Sequence, residues 1–446
     1  MVRSSLRSPL LRRLLLLDKP VPEQTAEEID AERDKNYRWN YSVNLVDGAA
    51  FWVGQSFIAS ATIVPLYISK LTDSPLAIGL AAVIAQASWF LPQILTSNFV
   101  EGLARKKPMI VNLGFFTERV PMLVIILSAV VAAFSAELAL ALFFIGYAWH
   151  GFGAGLVATS WLDMLARCFK VELRGSFFGV TTFVGAGAGA LAALISTRIL
   201  TGYPFPTNFV ISFGLAALFI FISWAFVALA REPLEPIKKT DQTQSQFLSE
   251  LRPLMREDVN YRHFLIARLL LAFSGMGIGF VTVAALRRWD VSDGIVGFFT
   301  AAFLIGQMVG NLSFGFLADK HGHKLSLEIA GFVSFIAFTL AIFAPSPGWY
   351  YLVFGLLGMV IGAVIVSGLL VAMEFSAPEK RPTYIGLTNS AIGVVSAAGP
   401  LLGAALALAN YNLLFAVSAA SGLLSFISMR WRVEEPRFAR KAADNG

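Results

Sequence analysis

Apolar stretches of about 20 residues recur along the chain and alternate with short polar segments. A helix of about 20 apolar residues crosses a hydrocarbon core of roughly 30 Å, so each stretch predicts a membrane-spanning helix. Helices are favoured over barrel strands because lipid satisfies no backbone group and the stretches lack a polar–apolar alternation. The predicted spans are 43–68, 76–100, 109–133, 137–160, 175–199, 208–230, 263–286, 294–317, 324–344, 348–373, 383–408 and 412–430. The pattern therefore predicts an all-α integral membrane protein with twelve transmembrane helices.

Short internal repeats divide these spans into two sets of six. Three motifs occur twice in the same order: DKNYRW at Asp34–Trp39 and DVNYRH at Asp258–His263, RGSFFG at Arg174–Gly179 and RPTYIG at Arg381–Gly386, and REP at Arg231–Pro233 and EEP at Glu434–Pro436. Their similar offsets predict duplication of a six-helix unit. Because each copy has an even number of helices, both start on the same side and the repeat axis runs along the membrane normal.

The Lys and Arg residues give the predicted orientation. Twenty-nine of the 35 fall on one side of the spans and four on the other, and positively charged loops face the cytoplasm. Both termini are therefore predicted to be cytoplasmic. The expected parts are an N-terminal segment 1–40, a six-helix bundle 41–230, a cytoplasmic central loop 231–262, a second six-helix bundle 263–430 and a cytoplasmic tail 431–446.

The N-terminal segment leaves two interpretations open. Its leucines are interspersed with Arg3, Arg7, Arg12 and Arg13, which is typical of a short basic helix on an anionic membrane surface. A disordered basic tail fits equally well. A signal peptide is not expected, because the apolar run Leu14–Leu17 is too short and no small-residue cleavage site follows it.

Composition excludes a soluble enzyme. Of the 446 residues 56% are apolar, 13% aromatic and 14% charged, and the mean hydropathy is +0.67, whereas soluble proteins carry about 25% charged residues. The net charge of +6 comes from basic residues placed at the membrane surface, so we expect no nucleic-acid partner. Cys168 is the single cysteine, and motifs of metalloproteases, nucleotide-binding loops and serine hydrolases are missing. We therefore expect no catalysis, cofactor, metal site or use of ATP.

The most specific motif follows span 8, where residues 315–324 read GFLADKHGHK. Gly315 would allow close helix approach, Asp319 would cap or pair with a neighbouring helix, and Gly322 would make the turn. Lys320 and Lys324 would lie at the anionic membrane surface. This loop resembles the motif of the major facilitator superfamily, which occurs in the family after helices 2 and 8. The resemblance covers residues 40–433.

The resemblance implies two pseudo-symmetric six-helix bundles, a secondary transport activity, and loops that latch the two halves on the cytoplasmic side. The equivalent loop after span 2 departs from the motif, because Glu101 aligns with Asp319 but Ala104 replaces the turn glycine Gly322. This first loop is either a modified latch or a charged connector.

Two further loops repeat an acidic residue followed by a basic one. Asp163 and Arg174 follow span 4, and Glu374 and Arg381 follow span 10. These residues would form a cytoplasmic gate whose ion pairs break when the halves move. Solvated helix ends are the alternative.

A small-residue motif lies in span 11, which contains Gly399, Pro400 and Gly403. It is similar to the glycine–proline motif of family antiporters, but it lies in the pseudo-equivalent helix of the other half. Close helix packing and a proline kink are the favoured interpretation, so export is only weakly indicated.

Ionisable residues at membrane depth are the main candidates for chemistry, because each is costly unless it faces a partner or a wet cavity. Glu118 and Arg119 lie near the middle of span 3. Neighbours on a helix point about 100° apart, so they need not pair with each other. They either form a structural ion pair with other helices or bind substrate and couple it to an ion.

Three more candidates lie in other spans. Asp47, one turn inside span 1, would either bind and release a proton or interact with the helix N-terminus. His150 in span 4 would relay protons or hydrogen-bond a neighbouring helix. Arg268 in span 7 is expected to extend toward the interface, with contact to an anionic substrate as the alternative.

The sequence therefore predicts a secondary active transporter that moves a small molecule by alternating access. Protons are the expected coupling ion, through Glu118 or Asp47 with Arg119 as the partner. Export of an amphipathic compound is one interpretation, and nutrient uptake or a transport-inactive receptor are the alternatives. We expect membrane lipids as further partners, a monomeric state, and a location in the cell membrane, plasma or inner.

Overall fold

The computed structural model describes residues 8–21, 24–234, 254–368, 370–375 and 381–436, and the described part contains helices and no strand. Most of the predicted central loop 231–262 and of the tail 431–446 lies outside the described residues. The helices up to the central loop are α1 Pro9–Leu14, α2 Ala26–Ser56, α3 Ile63–Leu71, α4 Pro75–Glu101, π-helical segments Met109–Leu113 and Phe115–Arg119, α5 Val120–Val131, α6 Ala136–Cys168, α7 Val171–Gly202 and α8 Thr207–Val227. The later helices are α9 Val259–Ser274, a 3₁₀ turn Gly275–Gly277, α10 Ile278–Trp289, α11 Ile295–His321, α12 His323–Phe343, α13 Trp349–Ser367, α14 Leu370–Glu374, α15 Arg381–Ala409 and α16 Tyr411–Arg432.

Eleven of the twelve predicted spans appear in the described residues as helical stretches long and apolar enough to cross a membrane. The first predicted span, 43–68, is instead divided between α2 and α3. Pro65 explains the division, because its ring would clash with the carbonyl of residue 61 in a continuous helix, whereas the first turn of α3 tolerates it. Single-helix geometry for this span was therefore a wrong prediction.

The first long helix also begins earlier than predicted. Thr25 caps α2: its hydroxyl accepts from the Glu28 backbone N–H at 3.2 Å, and the Glu28 carboxylate accepts from the Thr25 N–H at 2.8 Å. This reciprocal cap starts the helix in the acidic segment before the predicted span. Residues 26–42, which precede the predicted span, are thus the first part of α2.

The N-terminal segment contains the short helix α1, as one of the two alternatives predicts, and it also contacts the helices that follow it, which neither alternative predicts. The Leu15 side chain is buried with Val100, Met109 and Val157. The Asn112 side-chain amide donates to the Leu14 carbonyl at 2.7 Å. Apolar burial and a backbone hydrogen bond therefore hold this segment against α4, α6 and the π-helical region.

The chain forms two compact units. Unit 1 comprises 1–58, 84–189 and 203–241, and unit 2 comprises 59–83, 190–202 and 242–446. Both α4 and α7 pass from one unit to the other. The units therefore do not coincide with the bundles 41–230 and 263–430, and the division into two six-helix halves stays a prediction.

Unit 2 includes short segments of the first half of the chain. In this unit Lys70 forms an ion pair with Asp293 at 2.7 Å, and the Thr62 and Thr300 hydroxyls lie 2.6 Å apart. These polar contacts join α3 to the start of α11 and to the turn before it. They explain why residues 59–83 cluster with the second half.

The two copies of the Glu-Pro motif are held in the same way inside their own units. In unit 1 the Asn40 side chain donates to the Arg231 carbonyl at 2.9 Å and accepts from its N–H at 2.8 Å. In unit 2 the Asn260 side chain donates to the Glu434 carbonyl at 3.1 Å and accepts from its N–H at 2.9 Å. The internal repeat seen in the sequence thus has matching contacts in the structure.

Candidate functional site

A π-helical segment at the middle of the third predicted span carries Glu118 and Arg119. Helix α6 lies very close to it, because a Cβ on Gly153 would come within 1.8 Å of the Thr117 carbonyl oxygen. Only a glycine leaves room for that approach. π-helical turns inside α-helices are frequent at functional sites. The local structure therefore packs these two charged residues against α6.

Glu118 and Arg119 form an ion pair with each other, and both are buried, at 3% and 4% exposure. The sequence left open whether they pair. The His150 ring, from α6, joins them: its Nδ1 lies 2.7 Å from the Glu118 carbonyl oxygen. Since a carbonyl only accepts, Nδ1 carries the hydrogen, and Nε2 accepts from the Gln55 amide at 3.5 Å.

Asp47, from α2, lies in the same buried region. Its carboxylate accepts from the Ser223 hydroxyl at 2.6 Å and from the Trp161 indole N–H at 3.4 Å. It also interacts electrostatically with Arg119. Asp47 is thus held by two neutral donors, whereas Glu118 is held by a cation.

The structure brings all four sequence-predicted residues, Asp47, Glu118, Arg119 and His150, into one cluster within unit 1. Sequence reasoning did not find the two donors to Asp47, Ser223 and Trp161. The sequence does not show in which direction a serine or tryptophan inside an apolar span points. Among the residues that the structure describes, no group of three or more His, Cys, Asp or Glu is placed to hold a metal ion.

A second charged cluster lies at the predicted cytoplasmic end of unit 1. Lys106 is 1% exposed, and its ammonium pairs with Asp163 at 3.0 Å. The Arg167 guanidinium lies 3.5 Å from Asp163 and 3.2 Å from Glu232. The loop after span 2 is therefore packed into an ion-pair network and is not only a solvated connector.

Glu232, which the sequence analysis did not single out, is central to this network. Its carboxylate accepts from the backbone N–H groups of Lys106 and Lys107 at 2.9 Å each, where the third predicted span begins. Burial raises the pKa of Glu232, although these hydrogen bonds and Arg167 lower it. Burial likewise lowers the pKa of Lys106. The signal for Glu232 was the repeated REP and EEP motif.

The equivalent loop of unit 2 uses the other copy of that motif. Gly322 turns the chain between α11 and α12 with a φ of +93°, which favours glycine. A Cβ at this position would lie 2.3 Å from the Glu435 carboxylate carbon. Lys324 pairs with Glu328 at 3.1 Å. The turn predicted for Gly322 is therefore present, and it lies beside the second Glu-Pro motif.

The other predicted gate residues with described side chains lie on α7, α11 and α14. Asp319 and Lys320 are exposed at the end of α11, and Glu374 ends α14. A Cβ on Gly315 would meet open space, so the close helix approach expected there is not present. Arg174 donates to the carbonyls of Phe169 and Ala166 and forms no ion pair with Asp163.

Two predicted gate residues have undescribed side chains. Glu101 ends α4 and Arg381 begins α15, but their side chains lie outside the described part of the chain.

The small residues of span 11 pack against the 3₁₀ turn that follows α9. Cβ atoms on Gly399 and Gly403 would lie 3.5 Å from the Met276 Cβ and 3.1 Å from the Met276 carbonyl oxygen. Pro400 lies inside α15, and its carbonyl oxygen would be 2.8 Å from a Cβ on Gly79. These contacts agree with the packing interpretation.

Arg268 is buried at 5% exposure in unit 2. The expectation that it extends to the membrane interface was therefore wrong. Its guanidinium lies against α13, since a Cβ on Gly368 just beyond that helix would be 3.1 Å from Nη2. Helix packing around α9 thus keeps this charge inside the unit.

Comparison with known proteins finds one matching family model and several similar transporters. Residues 264–445 match the family model described as Major Facilitator Superfamily. The organic cation/carnitine transporter 7 of Arabidopsis thaliana is 27% identical over 183 residues, which are 38% of this chain and 36% of that protein. The inner membrane metabolite transport protein YdjE of Escherichia coli is 29% identical over 146 residues, which are 31% of each chain. The matches therefore span about a third of these relatives' length.

Solved structures show a similar fold over most of the chain. The D-xylose-proton symporter has a TM-score of 0.64 at 16% identity, with 89% of this chain and 98% of that chain covered. The nucleoside transporter NupG has a TM-score of 0.61 at 14% identity, with 87% and 98% covered. At such identities the likeness shows the fold, and it confirms the predicted all-α membrane architecture. The family model thus matches the second half of the chain, and the fold shared with these transporters extends over most of its length.

Proposed function

We propose that the chain is a secondary transporter that moves a small solute across the membrane by alternating access, coupled to protons. The family, the fold and the names of the relatives support this proposal. The charge distribution of the loops supports placing both termini in the cytoplasm. We further propose that the chain works as a monomer in the cell membrane.

The observation that carries proton coupling is the buried cluster of Asp47, Glu118, Arg119 and His150 in unit 1. It holds two carboxylates but one guanidinium, so one acidic group exceeds the fixed positive charge. Protonating Glu118 would leave Arg119 without its ion-pair partner. Protonating Asp47 would not, because its hydrogen-bond partners are the neutral groups of Ser223 and Trp161. We therefore assign the coupling proton to Asp47.

His150 and Glu118 take positioning roles in this proposal. The His150 ring bridges the Glu118 backbone carbonyl and Gln55, which favours a hydrogen-bonding role over proton relay. Glu118 neutralises the charge of Arg119 and so lowers the free-energy cost of burying that guanidinium at membrane depth. The cluster would then alternate between two charge states through one carboxylate.

Alternating access also needs contacts that open and close. The ion pair of Lys70 with Asp293 and the paired hydroxyls of Thr62 and Thr300 are suited to such a closure on the side opposite the predicted cytoplasm. Export of an amphipathic compound is the direction that we propose, supported by 26% identity over 174 residues to multidrug resistance protein 1 of Bacillus subtilis. Uptake is the alternative, supported by the fold shared with a proton symporter.

Proteoliposomes that contain a pH-sensitive dye test this proposal. D-xylose, uridine, L-carnitine and succinate would be applied in turn as solute gradients, inward and outward, without an initial pH gradient. The proposal predicts that at least one solute moves protons in the wild type and that Asp47→Asn abolishes the proton movement. Exchange of the same radiolabelled solute should survive in this variant. Glu328→Gln, which changes a buried carboxylate of unit 2, is the matched control and should keep the coupling.

Two results would contradict the proposal. Solute exchange without proton movement in the wild type would rule out proton coupling. Proton movement of wild-type size in Asp47→Asn would place the coupling carboxylate elsewhere.

A further inference from the structure

Arg268 is a buried cation in unit 2 for which the described residues supply no partner. The side chain is 5% exposed, its Nε is buried with no hydrogen-bond acceptor, and no described carboxylate lies within ion-pair distance of the guanidinium. The residue sits inside a predicted membrane span. A buried guanidinium without a partner is costly, and such groups in transmembrane helices mark ligand or ion pathways.

Apolar side chains pack around the part of α9 that carries Arg268. Its neighbours on α9, Ala267 and Leu271, belong to a buried cluster that also contains Val360 and Ala363 of α13 and Val371 of α14. These side chains accept no hydrogen bond. A Cβ at position 368 would lie 3.1 Å from Nη2 and 2.5 Å from the Val364 carbonyl oxygen, so the glycine lets the backbone after α13 come close to the guanidinium. The unit thus encloses a positive charge and supplies no negative charge beside it among the described residues.

A structural role at the end of α13 is the main alternative. A cation near the last turn of a helix is stabilised by its carbonyl groups, and α13 ends at Ser367, next to Gly368. The contacts do not support this role, because the Nε of Arg268 is buried and donates to no carbonyl among the described residues. A second polar group on the neighbouring α11 is also unsatisfied: both side-chain atoms of Asn311 are buried without a partner.

Asn311 approaches the same helix as Arg268 does. A Cβ on Gly362 of α13 would lie 2.7 Å from the Asn311 backbone nitrogen. Gly362 precedes Gly368 by six residues, or about 9 Å along a helix. Two side chains with unmet donors therefore flank one stretch of α13, and both suit a solute that carries oxygen acceptors.

We propose that Arg268 is the anion subsite of this transporter and that the transported solute carries a carboxylate, sulfonate or phosphate group. A guanidinium binds such groups through two parallel hydrogen bonds, and the bound anion supplies the charge that unit 2 lacks. This assignment rests on the proposed transport function. It names the class of solute, which the proton-coupling cluster of unit 1 does not.

Binding to the purified full-length protein tests the assignment without requiring transport. Thermal unfolding would be followed in nanodiscs of phosphatidylcholine with two pairs of probes: succinate against succinamide, and benzenesulfonate against benzenesulfonamide. Each pair keeps the carbon frame and changes the charge. We expect at least one anion to raise the unfolding temperature in a saturable way, and its amide to have no effect.

Variants then locate the effect. Arg268→Gln should weaken binding of that anion at least tenfold. Arg268→Lys should weaken it less, because lysine keeps the charge and loses only the bidentate hydrogen bonding. Arg262→Gln is the matched control, since Arg262 lies on the same helix and donates to the Met255 carbonyl. That variant should bind as the wild type does. If Arg268→Gln does not fold, Arg268→Lys and the paired probes still decide.

Three outcomes would overturn the assignment. One is an equal effect of anions and amides on the wild type, or no effect of either anion. Another is undiminished anion binding in Arg268→Lys and Arg268→Gln. The third is loss of the anion effect when phosphatidylglycerol replaces phosphatidylcholine, which would assign the site to a lipid headgroup. Anion binding without solute-driven proton movement would instead count against the proposed coupling and leave the subsite in place.

Discussion

Two buried arginines, one in each unit, occupy opposite electrostatic situations. Arg119 has an ion-pair partner in Glu118 and a second carboxylate, Asp47, within electrostatic range. Arg268 is buried to the same degree among apolar side chains and has no carboxylate partner in the described part of the chain. Burial by itself therefore says little about the role of a charge. The difference indicates that the charges of unit 1 neutralise one another within the unit. The guanidinium of unit 2 would instead be neutralised by a bound anion.

The largest effect should come from breaking the pair in unit 1. Glu118→Ala leaves Arg119 buried without its ion-pair partner, and removal of one partner of a buried pair costs about 3–5 kcal/mol. Thermal or denaturant unfolding of the purified protein measures this loss. The double variant Glu118→Ala with Arg119→Leu should recover most of it, because both charges are then gone. A double variant as unstable as the single one would contradict the pairing.

A smaller effect should come from the packing that holds the pair. Gly153→Ala would drive a Cβ into the Thr117 backbone, and such overpacking costs about 1–3 kcal/mol. Gly179→Ala is the control, because a Cβ there meets open space while the change in helix propensity is the same. The difference between the two unfolding free energies isolates the clash. Equal stabilities would show that α6 does not pack this tightly on the π-helical segment.

The smallest effect on stability is expected at the lone arginine. Arg268→Gln removes a charge that has no ion-pair partner among the described residues, so the ligand-free protein should unfold within about 1 kcal/mol of the wild type, or be more stable. The measurement is the same unfolding experiment in the absence of solute. A loss as large as that of Glu118→Ala would show that Arg268 has a structural partner and would remove the contrast between the units.

Much of the fold could be predicted from sequence patterns that membrane insertion and backbone geometry require. Apolar stretches of membrane length gave the helices, and the turn glycine of the loop motif occupies a left-handed conformation at Gly322. The division of the first span was signalled by Pro65, but the length of the apolar stretch outweighed that signal. The packing of Leu15 could not be predicted, because a leucine-rich basic segment fits a membrane surface as well as a groove on the protein.

The candidate site was only partly predictable. Depth in a span identified Asp47, Glu118, Arg119 and His150, since ionisable residues there are rare. Their partners were not predictable, because the facing of Ser223 or Trp161 depends on how helices rotate against each other. The pairing of adjacent Glu118 and Arg119 depends on a π-helical turn, which an apolar pattern does not reveal. Glu232 was visible only as half of a repeated tripeptide.

The most direct test of the account is to identify the carboxylate that takes up the proton. Infrared difference spectra between high and low pH, recorded on the reconstituted protein, detect the carbonyl band of a newly protonated carboxylic acid. We predict that this band is present in the wild type and in Glu118→Gln and is missing in Asp47→Asn. A band that persists in Asp47→Asn and disappears in Glu118→Gln would contradict the assignment, because the proton would then be carried by the carboxylate that pairs with Arg119.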